Sequence, residues 1–129
     1  MKSINELVQE AHQNAINKGW WEEDRSLPEL IALMHSELSE ALEDYRNGYK
    51  PAEMYYEYKG NKHKEASAIL LFGREKYGCK PCGIPSELAD VVIRIFDACG
   101  RYGIDLQAAI DEKMAYNKTR PHKHGGKVL

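Results

Sequence analysis

The sequence predicts an all-α protein, a bundle of about four to five helices, and three observations carry that expectation. Apolar residues recur at helical spacing through Leu30–Arg46, LIALMHSELSEALEDYR, and again through Ser86–Cys99, SELADVVIRIFDAC. Capping residues stand before the periodic runs, and glycine, asparagine or proline stands after them. The VVIRIF run suits a strand by composition alone, but the flanking ELAD and DAC and the total length favour a helix.

Taken in order, Ser3 and Glu6 form an S-x-x-E capping box at the head of the first helix. Ile4, Leu7, Val8, Ala11, Ala15 and Ile16 keep its spacing until Gly19 stops it. Trp20 and Trp21 follow in a short polar loop, where one of them either caps the core or offers a flat wall on which a nucleobase stacks. Ser26 or Leu27, with Pro28 in the first turn, opens a second helix that Asn47-Gly48 closes. At about 100° per residue, Leu30, Leu33, Met34, Leu38, Ala41, Leu42 and Tyr45 fall on one side of it. Glu37 lies inside that arc, and Glu40 and Asp44 lie along its edge.

Residues 49–82 read as an insertion or lid within a single domain spanning 1–129. Tyrosines stand at 55, 56 and 58, Gly60-Asn61 suggests a turn, and Glu65–Tyr77 suits a helix over Ala68, Ile69, Leu71 and Phe72. Cys79 and Cys82 have C-x-x-C spacing, but without a second such pair a loop with two free thiols is expected rather than a zinc knuckle. Gly83–Ser86 leads into the second long helix, which Gly100–Gly103 should close. Leu88, Val91, Val92, Ile95, Phe96 and Cys99, widened by Ala89, Ile93 and Ala98, make this helix apolar nearly all round, which predicts burial. Its narrow polar strip is Glu87, Asp90, Arg94 and Asp97. Asp105 caps a last helix with Leu106, Ala109 and Ile110 inside; the same stripe continues into Lys113, Asn117 and Arg120 before Pro121 stops it. HKHGGKVL then forms a basic tail.

Composition bounds the function. Of 129 residues, 29% are charged and 43% hydrophobic, as in ordinary globular proteins, and the net charge of −2 argues against dependence on a nucleic acid polymer or an anionic membrane. No apolar run approaches ~18 residues, the first residues lack a signal-peptide core, and three cysteines do not suggest a disulfide scaffold, so the cytoplasm is the expected location.

The chemistry lies in two acid pairs, Glu37 with Glu40 and Glu87 with Asp90, each spaced i, i+3 on a core-facing helix. Carboxylates rarely face a core unless cations or a metal ion neutralise them. Arg94 could do so as part of a structural network. Alternatively the all-oxygen donor set suits Mg²⁺, with Mn²⁺ as a substitute, and such ions meet phosphates readily. The E-x-x-H spacing of di-iron bundles is absent. Lys113, Asn117 and Arg120 are then fitted to hold the phosphates.

HSELSEALEDYR, GIPSELADVVIRIFDACGRYGIDL and KMAYNKTRPHKHGGK together resemble the MazG-like branch of the all-α nucleoside triphosphate pyrophosphohydrolases, over roughly the first and last fifty residues. That resemblance implies a bundle assembled as a homodimer or tetramer, and Mg²⁺-dependent cleavage of a nucleoside triphosphate to the monophosphate and pyrophosphate. By position it makes Glu37, Glu40, Glu87 and Asp90 the metal ligands and catalytic residues, and Lys113, Asn117 and Arg120 the phosphate-binding residues. The long 49–82 segment departs from the compact members. Two other classes stand beside this one: a non-catalytic nucleotide- and metal-binding module, and a purely structural helical protein.

Overall fold

Serines open the first two helices through reciprocal side-chain and backbone bonds. In α1 (Ile4–Asn17) the Ser3 hydroxyl accepts from the Glu6 N–H while the Glu6 carboxylate accepts from the Ser3 N–H; Ser26 and Glu29 repeat the device at α2 (Leu27–Arg46). The computed structural model describes residues 1–123, so most of the basic tail lies outside the described residues. The described chain is mostly helical, with α3 (Glu65–Phe72), α4 (Ile84–Tyr102) and α5 (Leu106–Thr119) completing five helices. α4 ends within the expected Gly100–Gly103 stretch, at Tyr102, with Gly103 turning the chain at φ 65°.

The all-α expectation needs one correction. Residues 49–82 contain a three-stranded antiparallel sheet, β1 (Tyr55–Tyr58), β2 (Asn61–Lys64) and β3 (Lys80–Cys82), with β1 in the centre. Tyr58 pairs with Asn61, so the hairpin loop is Lys59-Gly60, one residue earlier than expected, and both have positive φ, 47° and 82°. That is the primed turn whose twist matches antiparallel strands. The tyrosine-rich segment takes strand form because alternate side chains find two different environments. Tyr56 and Tyr58 share a face with His63; Tyr56 is buried, and Phe72 of α3 covers this side, with the Tyr58 and Phe72 rings 4.5 Å apart. Tyr55 and Glu57 share the other face with Lys62, Lys64, Lys80 and Cys82.

The chain divides into two compact units. One combines Met1–Glu22 with the described residues from Phe96 onward. Its core holds Val8, Ala98 and Cys99, and α1 meets the head of α5 where the Asn5 side-chain amide donates to Asp105 at 2.8 Å. Asp97 ties the elements together: its Oδ1 is 2.7 Å from His12 Nδ1 and accepts from the Trp21 indole at 2.9 Å. The close approach of α1 and α4 depends on Gly100, where a Cβ would stand 2.4 Å from His12 Cβ.

The other unit is Glu23–Ile95, holding α2, the sheet, α3 and the first turns of α4. Its buried α2 stripe is Leu30, Glu37, Ala41 and Asp44. Asp44 accepts from the Tyr55 hydroxyl at 3.0 Å, which turns that face of the sheet toward α2, and Tyr49 stacks on the Tyr55 ring at 4.2 Å. The long helices are less buried than their apolar patterns predict. Leu38 and Leu42 of α2 are about half exposed, as are Leu88, Val92 and Ile93 of α4. In a single chain those apolar arcs exceed what the partner elements cover. Among the described residues no helix is long and apolar enough to cross a membrane.

Candidate functional site

The register of two helices brings the acid pairs together. Glu37 and Glu40 lie one turn apart on α2, and Glu87 and Asp90 one turn apart at the start of α4. α4 is aimed by what precedes it: Gly83 at φ 112° packs so tightly on Glu53 that a Cβ would stand 2.5 Å from its carbonyl oxygen. The Gly83 carbonyl then accepts from the Glu87 N–H at 3.0 Å, and the Ser86 hydroxyl donates to the Pro81 carbonyl at 3.1 Å. The sharp turn therefore fixes Glu87 in the first turn of α4.

Carboxylate oxygens of Glu37, Glu87 and Asp90 all lie within 4.8 Å of one another, and Glu40 is within hydrogen-bonding reach of both Glu37 and Glu87. Glu37 is buried, Glu87 part-buried, and Glu40 and Asp90 open to solvent. One cation answers them directly: Arg94 Nε donates to Glu37 Oε1 at 2.8 Å, reaching across to α2 rather than back along its own helix. Burial alone would raise the Glu37 carboxyl, but the bonds from Arg94 and Glu40 overcome it and hold the group below its ordinary range. Glu87 goes the other way. Burial, then the Glu40 carboxylate, then Glu37 and Asp90 push it up to about 8, so at neutral pH it keeps its proton. Asp90 is raised as well, by burial and by Glu37, against the opposing charges of Arg94 and Lys80.

Glu87 Oε2 is buried and has no hydrogen-bond partner. Such an orphan normally has a reason, and here it lies among three other carboxylates that a single guanidinium only partly compensates. Three hard carboxylate donors, Glu37, Glu87 and Asp90, with one oxygen unsatisfied, suit a divalent cation of the Mg²⁺ or Mn²⁺ type.

The other expected site residues belong to the first unit. Lys113 and Asn117 are exposed on α5, and Arg120 caps its end, its N–H donating to the Asn117 carbonyl at 3.2 Å. Lys113 Nζ and Arg120 Cζ both lie just under 6 Å from the Tyr116 ring, at 5.9 Å and 5.8 Å. Trp21 is engaged by Asp97, by the edge of His12 and by Arg101 over its ring at 4.9 Å, while Trp20 is exposed. Cys79 and Cys82 are free thiols; Cys82 is buried in β3, and that burial raises its thiol. Sequence reasoning did not single out Lys80, whose charge reaches Asp90; the alternation of the hairpin and β3 was the signal available. No family model, curated protein or solved structure matches this chain.

Proposed function

We propose that the chain is a metal-dependent nucleoside triphosphate pyrophosphohydrolase that cleaves a nucleoside triphosphate to the monophosphate and pyrophosphate and clears unwanted nucleotides from the cytoplasmic pool. The observation that carries this reading is the unpartnered buried oxygen of Glu87 amid Glu37, Glu40 and Asp90. The residues fit Mg²⁺ or Mn²⁺: Glu37, Glu87 and Asp90 would hold it, with Glu40 beside them. When bound, the ion supplies positive charge against the phosphates and lowers the barrier to water attack at the α-phosphorus.

The chain's own residues do the rest. Arg94 fixes the Glu37 carboxylate in its ionised form, so that ligand stays oriented and charged. Glu40, solvent-open and within reach of Glu87 and Glu37, is the base that takes the proton from the attacking water. Lys113, Asn117 and Arg120 take the phosphates in this reading on the strength of the sequence resemblance, and Lys113 and Arg120 both lie just under 6 Å from the Tyr116 ring. The half-exposed Leu38, Leu42, Leu88 and Val92 support assembly with further copies of the chain, as a homodimer or tetramer.

The test is pyrophosphate release with Mg²⁺ or Mn²⁺ across natural and modified nucleotides, alongside Glu40→Gln. Turnover that Glu40→Gln abolishes supports the reading. Full activity in Glu40→Gln, or no turnover on any nucleotide, removes it; metal-dependent nucleotide binding without turnover points to the non-catalytic module instead.

A further inference from the structure

We infer that the sheet inserted between the two acidic helices supplies a cation to the site: Lys80 on β3 binds the phosphate chain of the metal-bound nucleotide. The inference rests on the hydrolase reading and adds a residue outside the two acid pairs and the α5 column. It comes from strand geometry. Lys80 pairs with Glu57 and lies two residues from Cys82, which pairs with Tyr55, so all four side chains share one face. The Tyr55 hydroxyl bonds Asp44 of α2, so this is the face turned toward the acidic helix.

β3 is then joined to α4 by Gly83 alone, and the tight contact of Gly83 with Glu53 leaves the junction little freedom. Lys80 therefore precedes Glu87 by one fixed turn, and its charge acts on Asp90. Unlike Arg94, whose guanidinium is committed to Glu37, the Lys80 ammonium makes no ion pair among the described residues. An exposed ammonium on the face turned toward α2, with its charge reaching Asp90, is placed for the phosphates that would complete the shell of an ion held by these carboxylates.

The experiment compares wild type, Lys80→Gln and Lys80→Arg, with Lys59→Gln at the far end of the hairpin as control. The first readout is calorimetric binding of tripolyphosphate in saturating Mg²⁺, which needs no turnover. Lys80→Gln should weaken it about tenfold, Lys80→Arg should restore most of it, and Lys59→Gln should leave it unchanged. Where nucleotide is turned over, Lys80→Gln should raise KM by a similar factor with Mn²⁺ affinity in the absence of phosphate retained. Unchanged tripolyphosphate binding in a folded Lys80→Gln overturns the inference, as does a wild type that does not bind tripolyphosphate. Binding that depends on Lys80 in a protein without hydrolysis would sink the hydrolase reading alone.

Discussion

Glu87 makes the metal reading measurable without any substrate. Its carboxyl is raised to about 8, so at pH 7 it is about ten parts protonated to one part ionised, and a divalent ion must displace that proton to bind. Titrating Mn²⁺ should release close to one proton per ion at pH 7 and clearly fewer above pH 8. The apparent Kd should tighten with rising pH, by up to about tenfold per unit below the Glu87 value and by less above it. Calorimetry in two buffers of different ionisation enthalpy counts the protons directly. Stability in the metal-free protein follows with a definite sign. The native state keeps a proton that the unfolded chain releases above 4.5, so the contribution of Glu87 to stability is full below that pH and is lost as pH rises toward 8. Near pH 7 the slope is about 1 kcal/mol per pH unit, and added Mn²⁺ should offset the loss. Equal heats in the two buffers, or a Kd flat between pH 6 and pH 8, would refute the reasoning.

Two further predictions concern the scaffold. Gly100→Ala places a methyl 2.4 Å from His12 Cβ, so α1 and α4 must separate; urea unfolding should show a loss of about 1–3 kcal/mol, and a neutral result would mean the contact yields freely. Tyr55→Phe strips the buried Asp44 of its hydroxyl partner and should cost about 1–3 kcal/mol by the same assay, with Tyr56→Phe, whose longer 3.3 Å bond goes to Glu65, costing less.

The helical elements were readable because their signals are local. Ser3 with Glu6, Pro28, Asn47-Gly48 and Asp105 each act within one turn, and each marks a boundary to within a residue or two. The acid pairs were readable for the same reason: i, i+3 spacing puts both carboxylates on one helical face wherever the helix goes. The sheet was not, because its strands are three or four residues long and β3 pairs with β1 across a helix. Lys80 was hidden with it, since a lysine between two cysteines carries no meaning until the register is known. The choice of Arg94 partner was equally illegible. Spacing suggested Asp90 or Glu87 on its own helix, whereas the bond goes to Glu37, fifty-seven positions away. Burial was overread in α4, because an apolar surround says that a surface wants covering and not that its own chain covers it.

Gly83 and Glu53 touch, so residues 54–82 leave and rejoin the chain at one point, like a bead hung from a closed clasp. Segments with abutting ends can be traded for others of different length while the flanking framework keeps its course. A short bridge across the clasp would thus yield a pared-down version retaining all four carboxylates but stripped of Lys80. On the proposed reading, the ornament rather than the frame is where selectivity among phosphate cargoes would be altered first.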